Sequence, residues 1–156
     1  MSSKIYTGGL FDGRGKPQPL GVRAKVKKAT PLEKSVQIAF FGWRDVFKRQ
    51  FPILNCLFSV PNGLWTYPAV AKAAVAQGLT AGIPDVMCMA PSADGRYHGL
   101  MIEFKRETTG KPTPEQEFFL KFFSDQGFRT AICRTAHDAS LLVNEHLGTN
   151  VPVYPR

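Results

Sequence analysis

GIPDVMCMAPSADGRYHGLMIEFKRE, residues 82–107, reads as a chain that runs out and comes back. IPDVMCM is a short apolar run, PSADG supplies turn chemistry through Asp94 and Gly95, and YHGLMIEFKR returns extended, so a β-hairpin is expected. Two acids and a lysine, Asp85, Glu103 and Lys105, stand inside those apolar runs. Side chains alternate along a strand, which puts Glu103 and Lys105 on one face and Ile102 and Phe104 on the other. Asp85 begins the neighbouring strand, so the three charges can meet at one edge of a sheet.

Acids left unpaired among apolar groups are expensive, and something must compensate them. A divalent cation would do so. Magnesium takes oxygen ligands, typically one or two carboxylates together with waters and phosphate oxygens. A lysine beside it steadies an attacking water or the charge that grows on a phosphoryl group. A plainer arrangement also fits: an exposed Glu103–Lys105 pair on a sheet face, with Asp85 a turn residue after Pro84. Periodicity leaves both open, because a bare D…ExK arises by chance in many chains.

Working outward, TPLEKSVQIAFFGWRDVFKR (30–49) starts like a helix, with Thr30 to cap, Pro31 in the first turn and Glu33 at capping-box spacing. Val36, Ala39, Phe40, Trp43, Val46 and Phe47 recur at three and four, which makes one face core. ILNCLFSV (53–60) suits a buried strand, PNG (61–63) breaks it, and the alanine-rich 65–78 suits a second helix closed by Gly78. Beyond the hairpin, Thr113, Pro114 and Gln116 repeat the cap pattern and open a helix to Gly127, on which Phe118, Phe119, Phe122 and Phe123 are expected in the core. FRTAICR is a further strand, and Thr135 with Asp138 opens a last helix through Leu147. This order implies an α/β fold, a sheet covered by helices with a crossover around 114–126; the pairing order of the strands is not readable.

The chain has 156 residues, enough for one domain with a real core. It has no apolar run of membrane-spanning length, and MSSKIYTGGL lacks a signal peptide's apolar core, so a soluble, cytoplasmic protein is expected. Cys56, Cys88 and Cys133 form no CxxC pair and read as buried small hydrophobes. His98, His137 and His146 are scattered; His98 is expected to face solvent, and no nucleophilic triad is supported.

The net charge of +8 is uneven. Residues 1–29 hold seven basic side chains against Asp12, leaving +6, whereas the remainder holds 13 basic and 11 acidic, leaving +2. Residues 1–29 therefore read as a basic, Gly- and Pro-containing arm, 30–150 as the folded domain and 151–156 as a short tail. Lys25, Lys27 and Lys28 are candidates for phosphate contact, although a solvated tail has the same composition. Lys72, Arg106 and Lys111 are basic residues near the proposed cleft, while Arg44, Lys48 and Arg49 fit the solvated face of the first helix. Trp65 and Tyr67 are candidates for base stacking.

The wording around the acids resembles the PD-(D/E)xK nuclease superfamily, and specifically the VRR-NUC domain. It includes the helix with Glu33, SVPNG at 59–63, GIPD at 82–85, the strand ending IEFK at 102–105 and the link GKPTPEQ at 110–116, in the family's order over roughly residues 30–147. The resemblance implies a restriction-endonuclease-like core, a mixed sheet of about four strands flanked by helices. It also implies a divalent-metal-dependent DNA endonuclease using Mg2+ or Mn2+. Asp85 and Glu103 resemble the metal-binding carboxylates, with the backbone carbonyl of Phe104 a further ligand, and Lys105 resembles the catalytic lysine. Glu33 resembles an acid that reaches the metal directly or through water; capping with Thr30 is its rival role. Gln116 resembles a glutamine near the site, with helix capping as its rival, and Asn62 resembles a residue at the cleft mouth, with turn formation as its rival.

Stand-alone members of this size resemble homodimers acting on branched DNA such as four-way junctions, commonly phage proteins working in the host cytoplasm. An inactive DNA-binding module of the same fold, or an interaction domain carrying a chance motif, are the alternatives. The arm has no counterpart in the family pattern, and the segment 64–77 is bulkier at its start than a Gly-rich linker.

Overall fold

The hairpin expected over residues 82–107 is present and forms the middle of the sheet in the computed structural model, which describes residues 31–60, 68–106 and 109–156. The expectations for the arm, including Lys25, Lys27 and Lys28, for the Thr30 cap, and for Asn62, Trp65 and Tyr67 fall outside those residues. The described elements are α1 (Pro31–Phe47), β1 (Leu57–Ser59), α2 (Pro68–Ala76), β2 (Val86–Cys88), β3 (Leu100–Phe104), α3 (Pro114–Asp125), β4 (Arg129–Cys133) and α4 (Ala136–Leu147). β2 pairs antiparallel with β3, Val86 opposite Ile102 and Cys88 opposite Leu100. β1 adds antiparallel to β2, and β4 adds parallel to β3, giving the order β1-β2-β3-β4. A parallel step needs a crossover, and α3 supplies it.

Alternation sorts the residues of β3. Leu100, Ile102 and Phe104 join Phe40 and Trp43 of α1 and Ala139 and Val143 of α4 in one apolar core. Phe40 stacks on Trp43 and meets the Phe104 ring at 5.8 Å. Each such side chain contributes about 1.5–3 kcal/mol by leaving water, so this layer holds α1 and α4 against the sheet. Met101 and Glu103 take the opposite face and are buried as well. Residues 151–156 are docked: Val151 enters the core, Trp43 Nε1 donates to the Pro152 carbonyl, and Asn144 Nδ2 donates to that of Val151.

Two expectations are corrected. The run 53–60 is not one strand: Pro52–Cys56 is a 3-10 turn and only Leu57–Ser59 is extended. Pro52 fixes its own φ, and Asn55 Nδ2 donates back to the Pro52 carbonyl at 2.8 Å, so local bonding tightens the chain before it can pair. The phenylalanines of α3 are not core either, since none of its residues is fully buried and Phe118 is 56% exposed. The helix carries two adjacent apolar rows. Phe119 and Phe123 are half-buried, with Phe123 against Phe128, which leaves Phe118 and Phe122 stacked on each other on the outside.

Cys88 and Cys133 are buried and Cys56 half-buried, all as free thiols. Burial raises both buried thiols, Cys133 to about 12, which keeps them protonated and inert. Among the described residues no helix is long and apolar enough to cross a membrane.

Candidate active site

Carrying the β2–β3 register one residue past Val86 and Ile102 sets Asp85 directly opposite Glu103. Opposed residues of an antiparallel pair share a face, so the hairpin itself brings the two carboxylates together. Asp85 is fixed at both ends. Its carbonyl accepts from Val60 N–H at 3.2 Å, and its Oδ2 accepts from Phe104 N–H at 2.9 Å.

Glu103 is 1% exposed. Its Oε1 accepts from Lys105 Nζ at 2.6 Å and from the Gln116 side-chain amide. Its Oε2, also buried, has no hydrogen-bond partner among the described residues. Burial chiefly, and then the neighbouring Asp85 charge, push the Glu103 carboxyl up to about 7; the Lys105 hydrogen bond and charge offset only part of this, and Glu33 adds to the rise. Lys105 is itself buried, at the end of β3, where its N–H donates to the Cys133 carbonyl.

Gln116 caps α3 and also touches Glu103. Its side-chain oxygen accepts from Thr113 N–H at 2.8 Å, completing a capping box, while its amide nitrogen donates to Glu103. Glu33, in the first turn of α1, accepts from Arg106 N–H at 3.3 Å, so it stands at the end of the strand that carries Glu103 and Lys105. Arg106 is half-buried there, whereas Lys72 on α2 and Lys111 in the link are exposed. Arg44 is not merely on a solvated face, since its Nη1 donates to the Leu57 carbonyl. His98 does face solvent.

Two glycines explain the spacing of the motifs. At Gly82 φ is +86°, and a side chain there would meet Glu115 Cβ at 2.7 Å, so GIPD lies against the first turn of α3. At Gly110 an added Cβ would stand 2.6 Å from Arg106 N and 3.0 Å from Lys105 Cβ. Gly110 therefore lies against Lys105 and Arg106, and Arg134 Nη1 joins the two sides by donating to the Arg106 and Gly110 carbonyls.

Sequence reasoning missed Arg134 and also Gln37. Gln37 Nε2 donates to Ser59 Oγ at 2.9 Å and to the Asp85 carbonyl at 3.4 Å. The available signal was its place one helical turn after Glu33; its partner is a backbone atom 48 positions away, which no side-chain pattern encodes.

Among the described residues no group of three or more His, Cys, Asp and Glu side chains stands ready to hold a metal. The donors present still fit a hard cation that keeps much of its water. They are two opposed carboxylates, one of them with a buried oxygen that has no hydrogen-bond partner among the described residues and a raised pKa.

The model of the VRR-NUC domain family matches residues 24–137. The chain belongs to the VRR-NUC family. Members of this family are generally nucleases. A solved structure described as a VRR_NUC domain protein superposes with a TM-score of 0.61 at 21% identity, covering 82% of this chain and 99% of that one. It supports the fold: a four-strand mixed sheet with flanking helices, the restriction-endonuclease-like core. No curated protein matches the chain. The VRR-NUC match begins inside the basic stretch that precedes α1 and ends in the first turn of α4.

Proposed function

We propose that this VRR-NUC protein is a divalent-metal-dependent DNA endonuclease that acts as a homodimer on branched DNA, four-way junctions among them. The observation that carries the chemistry is the opposition of Asp85 and Glu103 across the hairpin, with Lys105 bonded to Glu103 in a buried position. Asp85, Glu103 and the Phe104 carbonyl would hold Mg2+ or Mn2+, with Glu33 reaching it directly or through water. When bound, the cation supplies positive charge that polarises the phosphodiester and acidifies water.

The remaining work falls to the chain's own groups. Lys105 carries a positive charge that steadies the charge developing on the phosphoryl oxygens. The Gln116 amide and the Phe104 N–H hold the Glu103 and Asp85 carboxylates in place. Lys72, Arg106 and Lys111, with Asn62 and the lysines of the arm, contact the DNA backbone. A two-fold protein meeting a two-fold junction is what paired cuts require, which is the reason for the dimer.

A labelled four-way junction incubated with Mg2+ or Mn2+ tests this. The wild type cuts it, and Asp85→Ala, Glu103→Ala and Lys105→Ala each bind it without cutting. Binding with no cleavage by the wild type over a range of metals would instead make the protein an inactive DNA-binding module of the same fold.

A further inference from the structure

The outer face of α1 is built against expectation for a solvent-facing helix. Lys34, Ile38 and Gly42 follow one another at intervals of four, and Ile38 is 64% exposed. A glycine inside a helix destabilises it relative to alanine, and packing does not require this one: nothing lies within 4 Å of where a Gly42 Cβ would stand. At this face lies a shallow, open groove of about 490 Å³ between α1 and Ser59 of β1, with Ile38 and Phe41 as its apolar lining and Lys34, Gln37, Asp45 and Ser59 as its polar one.

The groove is linked to the candidate active site through one lining residue. Gln37 lines it and at the same time donates to Ser59 Oγ and to the Asp85 carbonyl. Its charge favours phosphate: Lys34 lines it, and the one acid lining it, Asp45, is paired with Arg44 at 2.6 Å and Lys48 at 3.0 Å. A partly apolar groove with a lysine on its rim, joined to the Asp85 backbone through Gln37, suits a nucleotide whose base has left the stack.

We propose that this groove binds an unpaired nucleotide of the DNA next to the cleavage position, the base against Ile38 and Phe41 and the phosphate at Lys34. The identification of the ligand as DNA rests on the nuclease proposal above. Gln37 then links groove and site as a positioning residue, since it touches both the groove and the backbone of Asp85.

Fluorescence anisotropy in EDTA, on a splayed duplex with unpaired arms and on a fully paired duplex, tests the groove apart from cleavage. Gly42→Leu fills the slot and replaces glycine with a better helix former, so its melting temperature is equal or higher. It should bind the splayed duplex roughly tenfold more weakly, the scale of one lost base contact, with the paired duplex unaffected. Lys34→Ala should lower the slope of log affinity against log salt by about 0.7, as for one phosphate of a single strand. Unchanged affinity of Gly42→Leu for the splayed duplex overturns the proposal. So does a shift from dimer to monomer at unchanged DNA affinity, which would make the groove a contact between copies. A wild type that binds the splayed duplex through the groove but never cuts with metal would count against the nuclease proposal alone.

Discussion

Glu103 is where opposing demands on the chain meet. Its place in β3 buries it, Asp85 faces it, and Lys105 and Gln116 bond only one of its oxygens. Its carboxyl is raised from 4.5 to about 7, so the folded chain holds a proton there that the unfolded chain has released. Between those values the native state binds more protons, and metal-free stability therefore falls as pH rises from about 4.5 through about 7. The loss is on the order of 3 kcal/mol. Urea denaturation in chelator at pH 5 and pH 8 should show it, and Glu103→Gln, which cannot ionise, should show none; an equal pH dependence in both would mean that Glu103 is not the group responsible. A cation held by the ionised form, as proposed, would offset the same cost.

At the scale of elements, the hairpin and α3 assemble the site, and they differed in how far the sequence disclosed them. The hairpin was legible because two short apolar runs flank the Asp94–Gly95 turn, and its register then fixes the Asp85–Glu103 encounter. The run 53–60 was misjudged because a short apolar stretch has no period, so the Pro52 and Asn55 turn chemistry decided it. In α3 the spacing of the phenylalanines was right, but spacing cannot say which of two adjacent apolar rows a four-stranded sheet will cover. Gln37 and Arg134 were invisible because each serves a backbone carbonyl made neighbouring only by the fold. The cap of α3 separates structure from chemistry. Thr113→Ala should cost about 1 kcal/mol of stability by losing the cap, with cleavage retained. Gln116→Ala should lose both, because its amide also holds Glu103; equal cleavage by the two variants would mean that the Gln116 contact is only structural.

Over the whole molecule, most of the net positive charge, +6 of +8, lies in residues 1–29, while the described part carries an acidic pair, buried Glu103 and half-buried Asp85, at one end of its sheet. Under the proposed function, that division would place affinity in one region and chemistry in another. Replacing Lys25, Lys27 and Lys28 with alanine should flatten the salt dependence of duplex binding by up to about 2.7 in slope, at about 0.9 per phosphate, without changing the single-turnover cutting rate of bound DNA. An unchanged slope would make those lysines bystanders.

The central claim is that opposed carboxylates from two adjacent strands form one cation site, and calorimetric titration of Mn2+ into the full chain tests it most directly. The account predicts one saturable site in the wild type at pH 8, weakened as pH falls through about 7, and absent from folded Glu103→Gln and Asp85→Asn. Equal Mn2+ binding by wild type and folded Glu103→Gln would contradict it.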